Sequence, residues 1–180
     1  GKGFTEWTNV AKAQRMFYGH YQPKIPADLG FYDLRINEVR VEQAKLAMEA
    51  GISAFCYWHY WFGDGVQLLE KPLQDVVACG EPNFPFCLAW ANHSWQKKSW
   101  NSSESRLSKE NLMIQTYPGI EDIDLHFYKM LPTFRDSRYF KIDNKLVFVI
   151  YNHLDLPDVD YFMSRWQALA KDNDLPCFYF

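Results

Sequence analysis

Residues 84–92 read FPFCLAWAN, an almost unbroken apolar run closed by Asn92. It is too short for a typical helix, it is bounded by Gly80, Pro82 and Asn83, and it does not alternate with polar residues. That combination predicts a strand buried on both faces, as in a parallel sheet. Working outward, QLLEKPLQDVVAC (67–79) predicts a helix with Pro72 near its first turn and Gly80 at its end. Before it, ISAFCYWHY (52–60) repeats the buried-strand pattern. Earlier still, NEVRVEQAKLAMEA (37–50) predicts a helix, with Asn37 as N-cap, Gly51 as C-cap and a buried stripe of Val41, Ala44, Leu46, Ala47 and Met48.

Downstream, residues 93–108 form a polar loop holding His93, Trp95, Trp100 and Glu104, and LMIQTY (112–117) reads as an extended piece. EDIDLHFYKML (121–131) is a helix with acids in its first turn. RYFKIDNKLVFVIYN (138–152) predicts a hairpin about Asp143-Asn144 whose second arm, 145–151, is a core strand. PDVDYFMSRWQALAK (157–171) is a helix that opens on Pro157, and PCFYF (176–180) is a strand. Residues 1–36 lack periodicity but are rich in aromatics, which points to an ordered loop.

Helices alternating with strands imply parallel pairing through right-handed crossovers. The fold class is therefore α/β, and a (β/α)8 TIM-barrel type with about four core parallel strands in this chain is the preferred architecture. A complete barrel takes about 250 residues, so the 180 residues are expected to be part of a longer protein. A doubly wound open sheet is the alternative, but no glycine-rich turn of the phosphate-cradling kind follows any strand.

Composition narrows the function. Net charge is −3 with both signs interspersed, so no basic face for nucleic acid is expected. No apolar run approaches the ~20 residues of a membrane span, and the first residues, GKGFTEW, lack a signal-peptide core. Cys56, Cys79, Cys87 and Cys177 show no metal-binding spacing and read as buried free thiols, compatible with a cytoplasmic location. No cofactor is called for. Aromatics reach 18%, and rings that stack on sugar C–H faces beside polar groups that take the hydroxyls would explain them.

Function in parallel α/β folds sits at the carboxyl ends of strands. Those ends read Tyr57-Trp58-His59-Tyr60-Trp61, Trp90-Ala91-Asn92-His93 and Tyr151-Asn152-His153. With matching registers, Tyr57/His59, Trp90/Asn92 and Tyr151/His153 share one face. His59, Trp90, Asn92, His93 and Tyr151 are the candidates for holding substrate, while Trp58 and Phe62 read as packing residues. Glu6, Asp64, Glu104 and Asp155 lie in predicted rim loops, and Glu6 is the local candidate for a catalytic acid. A competing possibility is a metal-dependent hydrolase with His59, His93 and His153 as ligands and Glu6 or Asp155 completing the shell.

The strings GKGFTEWTNV, HYQP (20–23), PADLGFYDLR (26–35), FCYWHYWF (55–62), LLEKPL (68–73), FPFCLAWAN, IQTY (114–117) and IYN (150–152) resemble the WbsX-like polysaccharide-biosynthesis proteins. Those proteins are described as glycosyltransferases and are related to the endo-α-mannosidase-like glycoside hydrolase family 99. The resemblance covers essentially the whole chain. It implies a (β/α)8 barrel with strands two to five here, action on glycosidic bonds in lipopolysaccharide or O-antigen metabolism, and a carbohydrate substrate. It implies a sugar-facing rim of Glu6, Trp7, His20, Tyr21, His59, Tyr60, Trp61, Trp90 and Asn92. The family-99 catalytic acids lie in a Glu-Trp-x-Glu-like motif, which does not occur in residues 1–180, so the main acids are expected beyond Phe180. One departure stands out: the pattern continues WAN with Glu, and here His93 follows. A non-catalytic or divergent sugar-binding domain is thus the alternative function.

Overall fold

A computed structural model describes residues 5–101 and 106–180, with the side chains of 97–109 outside that description. Its elements are α1 (Glu6–Lys12), α2 (Asn37–Glu49), β1 (Phe55–His59), α3 (Lys71–Cys79), β2 (Phe86–Trp90), β3 (Trp95–Asn101), β4 (Arg106–Met113), α4 (Ile120–Phe134), β5 (Lys141–Ile142), β6 (Lys145–Ile150), α5 (Val159–Asp172) and β7 (Phe178–Tyr179). The predicted alternation of helices and parallel strands is observed. β1, β2, β6 and β7 are parallel neighbours in that order, and β5 pairs antiparallel with β6. Each new core strand is added on the same side of the last, with no reversal of order.

Local chemistry accounts for several boundaries. Asp143 and Asn144 both take positive φ, 48° and 58°, the conformation of a two-residue hairpin turn between β5 and β6. Gly80 ends α3 in the left-handed region at φ 76°. Asp158 caps α5, its side chain accepting from the Tyr161 N–H. α3 starts later than its periodicity suggests, because Gln67 pairs with Trp61 in an antiparallel bridge and Leu69 takes φ 58°.

Other elements depart from the sequence pattern. Asn37 does not cap α2, since its carboxamide oxygen accepts from Arg40 Nη2. Arg40 and Ala44 are the buried residues of α2, whereas Val41 and Met48 of the expected stripe are exposed. The expected polar loop after β2 is largely a hairpin, β3–β4, in which Gln96 Nε2 donates to Asn111 Oδ1. Within the expected loop 1–36 lies the short helix α1. Cys87, on the central strand β2, is buried, but Cys56, Cys79 and Cys177 are exposed. Among the described residues no helix is long and apolar enough to cross a membrane.

The sheet has two unlike faces. Phe55, Tyr57 and His59 of β1, Phe86, Leu88 and Trp90 of β2, Leu146 and Phe148 of β6 and Phe178 of β7 share the face packed against α3, α4 and α5. Aromatic contacts are prominent: Trp166 of α5 meets Phe148 at 4.7 Å, and Phe134 of α4 meets Phe178 at 5.0 Å. On the opposite face Cys56, Trp58, Val149, Tyr151 and Tyr179 are exposed.

Buried in the aromatic layer is a histidine pair. His59 Nε2 and His126 Nε2 lie 2.7 Å apart, so one ring donates its single N–H to the other. The Trp61 ring stacks on His126 at 4.6 Å, and Trp90 and Trp166 meet it edge-on. Burial pushes His59 down to about 3, and it also holds His126 well below its ordinary value, with help from its neighbour's charge. Both rings stay neutral in the folded protein at pH values where the unfolded chain, titrating near 6.5, binds protons. Their contribution is complete above about pH 6.5 and is lost as pH falls toward 3. Each imidazole should therefore cost about 2 kcal/mol of stability between pH 7 and pH 5. Urea unfolding at the two pH values measures this, and His126→Gln, which removes one titrating ring, should cut the pH-linked loss by about half.

Candidate functional site

The carboxyl ends of β2 and β6 are tied together by one side chain. Asn92, just after β2, is fully buried. Its Oδ1 accepts from Asn152 N–H at 2.8 Å, and its Nδ2 donates to Asn152 O at 2.7 Å. The main-chain ladder reaches its last rung with Tyr151 N–H donating to Trp90 O, and the carboxamide adds one rung beyond it. Asn92 Nδ2 also lies 3.1 Å from Tyr117 Oη, which donates to Asn92 O. Tyr117 is delivered by the segment before α4, which closes on Gly63: Phe62 O accepts from both Thr116 N–H and Thr116 Oγ1. Gly63 has φ 94°, and a Cβ there would collide with Thr116 and Pro118, so the approach requires glycine.

On the exposed face this arrangement builds an aromatic platform. Trp58 is paired in register with Ala89, and Ala89 with Val149. Because Ala89 is small, Trp58 and Tyr151 reach across β2 to within 5.5 Å of each other. They are 52% and 59% exposed. The His93 ring lies 5.3 Å from Tyr151, and its Nδ1 is out of solvent with no hydrogen-bond partner among the described residues. Two ring faces above a small-residue floor can stack a sugar ring.

The sequence candidates are divided between the two faces. His59 and Trp90 are in register and share a face, but it is the one covered by helices, where both are buried. Ile150, not Tyr151, is the residue of β6 in register with Trp90, so Tyr151 points the other way. His153 opens a short 3-10 turn and is exposed. Trp61 is buried and donates through Nε1 to Asp122, while Tyr60 packs edge-on against Trp95 at 5.0 Å. Glu6 and Trp7 lie on α1, with Trp7 donating to Tyr32 O. His20 stacks on Phe17, and Tyr21 is exposed. Asp155 accepts from Asn152 Nδ2. Glu104 lies outside the described residues, as does the side chain of Trp100. The zinc arrangement is not formed: His59 bonds His126 beneath the helices while His93 packs on Tyr151. No group of three or more His, Cys, Asp or Glu side chains converges among the described residues.

Trp58 is the platform residue that reading the sequence assigns to packing instead. Its signal was present: it alternates with His59, so only one of the two can face the helices.

A profile described as "Glycosyltransferase WbsX" matches residues 1–180. The chain belongs to the WbsX glycosyltransferase family. Two curated relatives, each called uncharacterized protein WxcX, come from two strains of Xanthomonas campestris pv. campestris. Each is 39% identical over 176 residues, covering 97% of this chain and 24% of the relative. This WbsX-family chain thus spans about a quarter of their length. No solved structure matches it.

The Asn92 clasp is open to a direct test. Asn92→Asp keeps the shape but cannot donate to Asn152 O, and it buries a charge. The change should cost about 3 kcal/mol or more, lowering Tm by roughly 6–12 °C for a chain of this size. Scanning calorimetry measures it, and a shift within error of zero would show that the clasp does not hold the strand ends.

Proposed function

We propose that residues 1–180 supply the sugar-holding wall of a carbohydrate-active enzyme that makes or breaks glycosidic bonds in polysaccharide metabolism. The observation that carries this reading is the exposed Trp58–Tyr151 pair over Ala89, with His93 beside it, at the carboxyl ends of parallel strands. Membership in a glycosyltransferase family supports carbohydrate as the substrate class. The strand order without reversal and the gathering of α3, α4 and α5 on one face support a (β/α)8 barrel, whose interior would be the face carrying Trp58. A doubly wound sheet would reverse its order and cover both faces.

In this reading the platform binds and orients, and the acids that act on the bond come from outside residues 1–180. Asp155, the carboxylate nearest in sequence to Tyr151 on the β6 side, is engaged with Asn152. Glycosidases need two carboxyl groups about 5–9.5 Å apart, and no such pair is carried by the platform residues. His20, Tyr21, Glu6 and Trp7, together in the N-terminal segment, form a second group of rim candidates. The alternative of a divergent, purely sugar-binding domain is favoured by one residue: His93 stands where the family pattern carries Glu.

The experiment is binding and turnover by the intact protein with oligosaccharides of the host's own surface polysaccharide and with α-mannosides. Trp58→Ala and Tyr151→Ala should each weaken oligosaccharide binding about tenfold with little change in thermal stability, since both rings are largely solvent-facing. Undiminished affinity in both variants would remove the platform from the site. Binding without cleavage or transfer would select the sugar-binding alternative.

A further inference from the structure

Cys56 of β1 and Cys87 of β2 are partners in the parallel register, one alternation before the Trp58–Ala89 pair. Side chains two apart along a strand share a face, so both thiols lie on the side of the sheet that carries Trp58. Neighbouring strands stand about 4.8 Å apart, inside the roughly 4.4–6.8 Å between α-carbons that a disulfide spans. In the structure both cysteines are free thiols, and the Cys87 S–H donates toward the Cys56 sulfur.

The two sulfurs are in unlike surroundings. Cys56 is exposed, whereas Cys87 is 6% exposed. The hydrogen bond from Cys87 favours the Cys56 thiolate and brings that thiol down to about 7. The same contact, together with burial, pushes the Cys87 thiol up. Thiolate is the reactive form of cysteine, and its reactivity follows ionisation and access. One sulfur of the pair is therefore open and ready to attack, and the other is sheltered and protonated beside it.

Cys79, at the end of α3, and Cys177, just before β7, provide an internal comparison. Both are exposed, so access alone does not separate them from Cys56. Neither stands opposite a second thiol in the strand register. Oxidation of either would stop at a single sulfur, while oxidation of Cys56 has a resolving thiol on the next strand.

We propose that Cys56 and Cys87 are a redox modification site, a thiol pair that a peroxide converts reversibly into a disulfide joining β1 to β2 beside the aromatic platform. The Cys56 thiolate attacks one peroxide oxygen, the O–O bond breaks, and hydroxide leaves and takes up a proton as water, so that Cys56 becomes a sulfenic acid. The Cys87 sulfur then attacks the Cys56 sulfur, loses its proton and expels the sulfenic hydroxyl as a second water. The two thiols give two electrons to the peroxide, and a dithiol reductant returns them. The inference does not rest on sugar binding, and its failure would leave that reading intact.

The test is treatment of the intact, folded protein with hydrogen peroxide at pH 7, alkylation of the remaining thiols, and peptide mass spectrometry. A peptide carrying Cys56 linked to one carrying Cys87 should appear, and dithiothreitol should remove it. Cys56 should be oxidised about tenfold faster than Cys79 and Cys177. Cys87→Ala and Cys56→Ala each exchange one small side chain for another, so both variants are expected to fold. In Cys87→Ala the cross-link should be lost and dimedone should trap a sulfenic acid on Cys56, whereas Cys56→Ala should leave Cys87 reduced. No Cys56–Cys87 link at peroxide levels that oxidise Cys79 or Cys177, a link formed only in urea-unfolded protein, or oxidation of Cys56 no faster than of the other exposed thiols would each overturn the proposal.

Discussion

The working edge of this sheet depends on a carboxamide standing in for main chain. β2 and β6 separate after Trp90 and Ile150, and without a further rung Tyr151 and Asn152 would be free to turn with the loop. Asn92 supplies that rung, donating to and accepting from the same residue, Asn152. Its carboxamide offers an acceptor and donors at peptide-like spacing, which a carboxylate or a hydroxyl does not. With Asn152 fixed, Tyr151 is committed to the face that already carries Trp58, and His93 follows Asn92 onto the same rim. The platform is therefore a consequence of strand register, and its aromatic rings are positioned by a residue that faces away from them.

The two faces of the sheet are built from different materials for a physical reason. On the covered face, large aromatics interdigitate with α4 and α5, and the His59–His126 bond joins two buried polar side chains within that layer. An unpaired imidazole there would be costly, and two make one good bond. That bond is directional in a way that aromatic packing is not, so it fixes where along β1 the helix α4 sits. On the other face, β2 carries Ala89, a small residue flanked by Trp58 and Val149. A small side chain at the centre and large ones at the flanks make a trough, a shape suited to a ring-sized ligand.

What could be read from the sequence was what depends on neighbours in the chain. The Asp143-Asn144 turn, the Gly80 stop and the β2 run are local and were legible. The face of Tyr151 was not, because it depends on the pairing of Trp90 with Ile150, sixty residues apart. Trp58 was assigned to packing because its neighbours in sequence are aromatic, while its neighbour in space is Ala89. The β3–β4 hairpin left no alternating pattern, since a two-stranded arm with polar groups on both sides has no apolar face to mark it. The value of Asp122 and His126 was hidden for a similar reason: each sits in an ordinary amphipathic helix and gains its meaning from Trp61 and His59, reached through long-range contacts.

The alternation of side chains along a strand then couples the two faces. Trp58 and His59 are consecutive, one on the platform and the other bonded beneath the helices. Trp90 lies on the covered face, and its own Nε1 donates to Trp61 O at 2.9 Å. A shift of β1 that moved Trp58 would have to stretch the His59–His126 bond and disturb the Trp61–Asp122 contact at the same time. β1 is thereby held from the covered side, and the exposed rings of the other side inherit that rigidity. A rigid aromatic surface loses little conformational entropy when a sugar settles on it. The dry, costly histidine pair thus acts on the platform at a distance of one residue, by keeping in place the strand from which Trp58 projects.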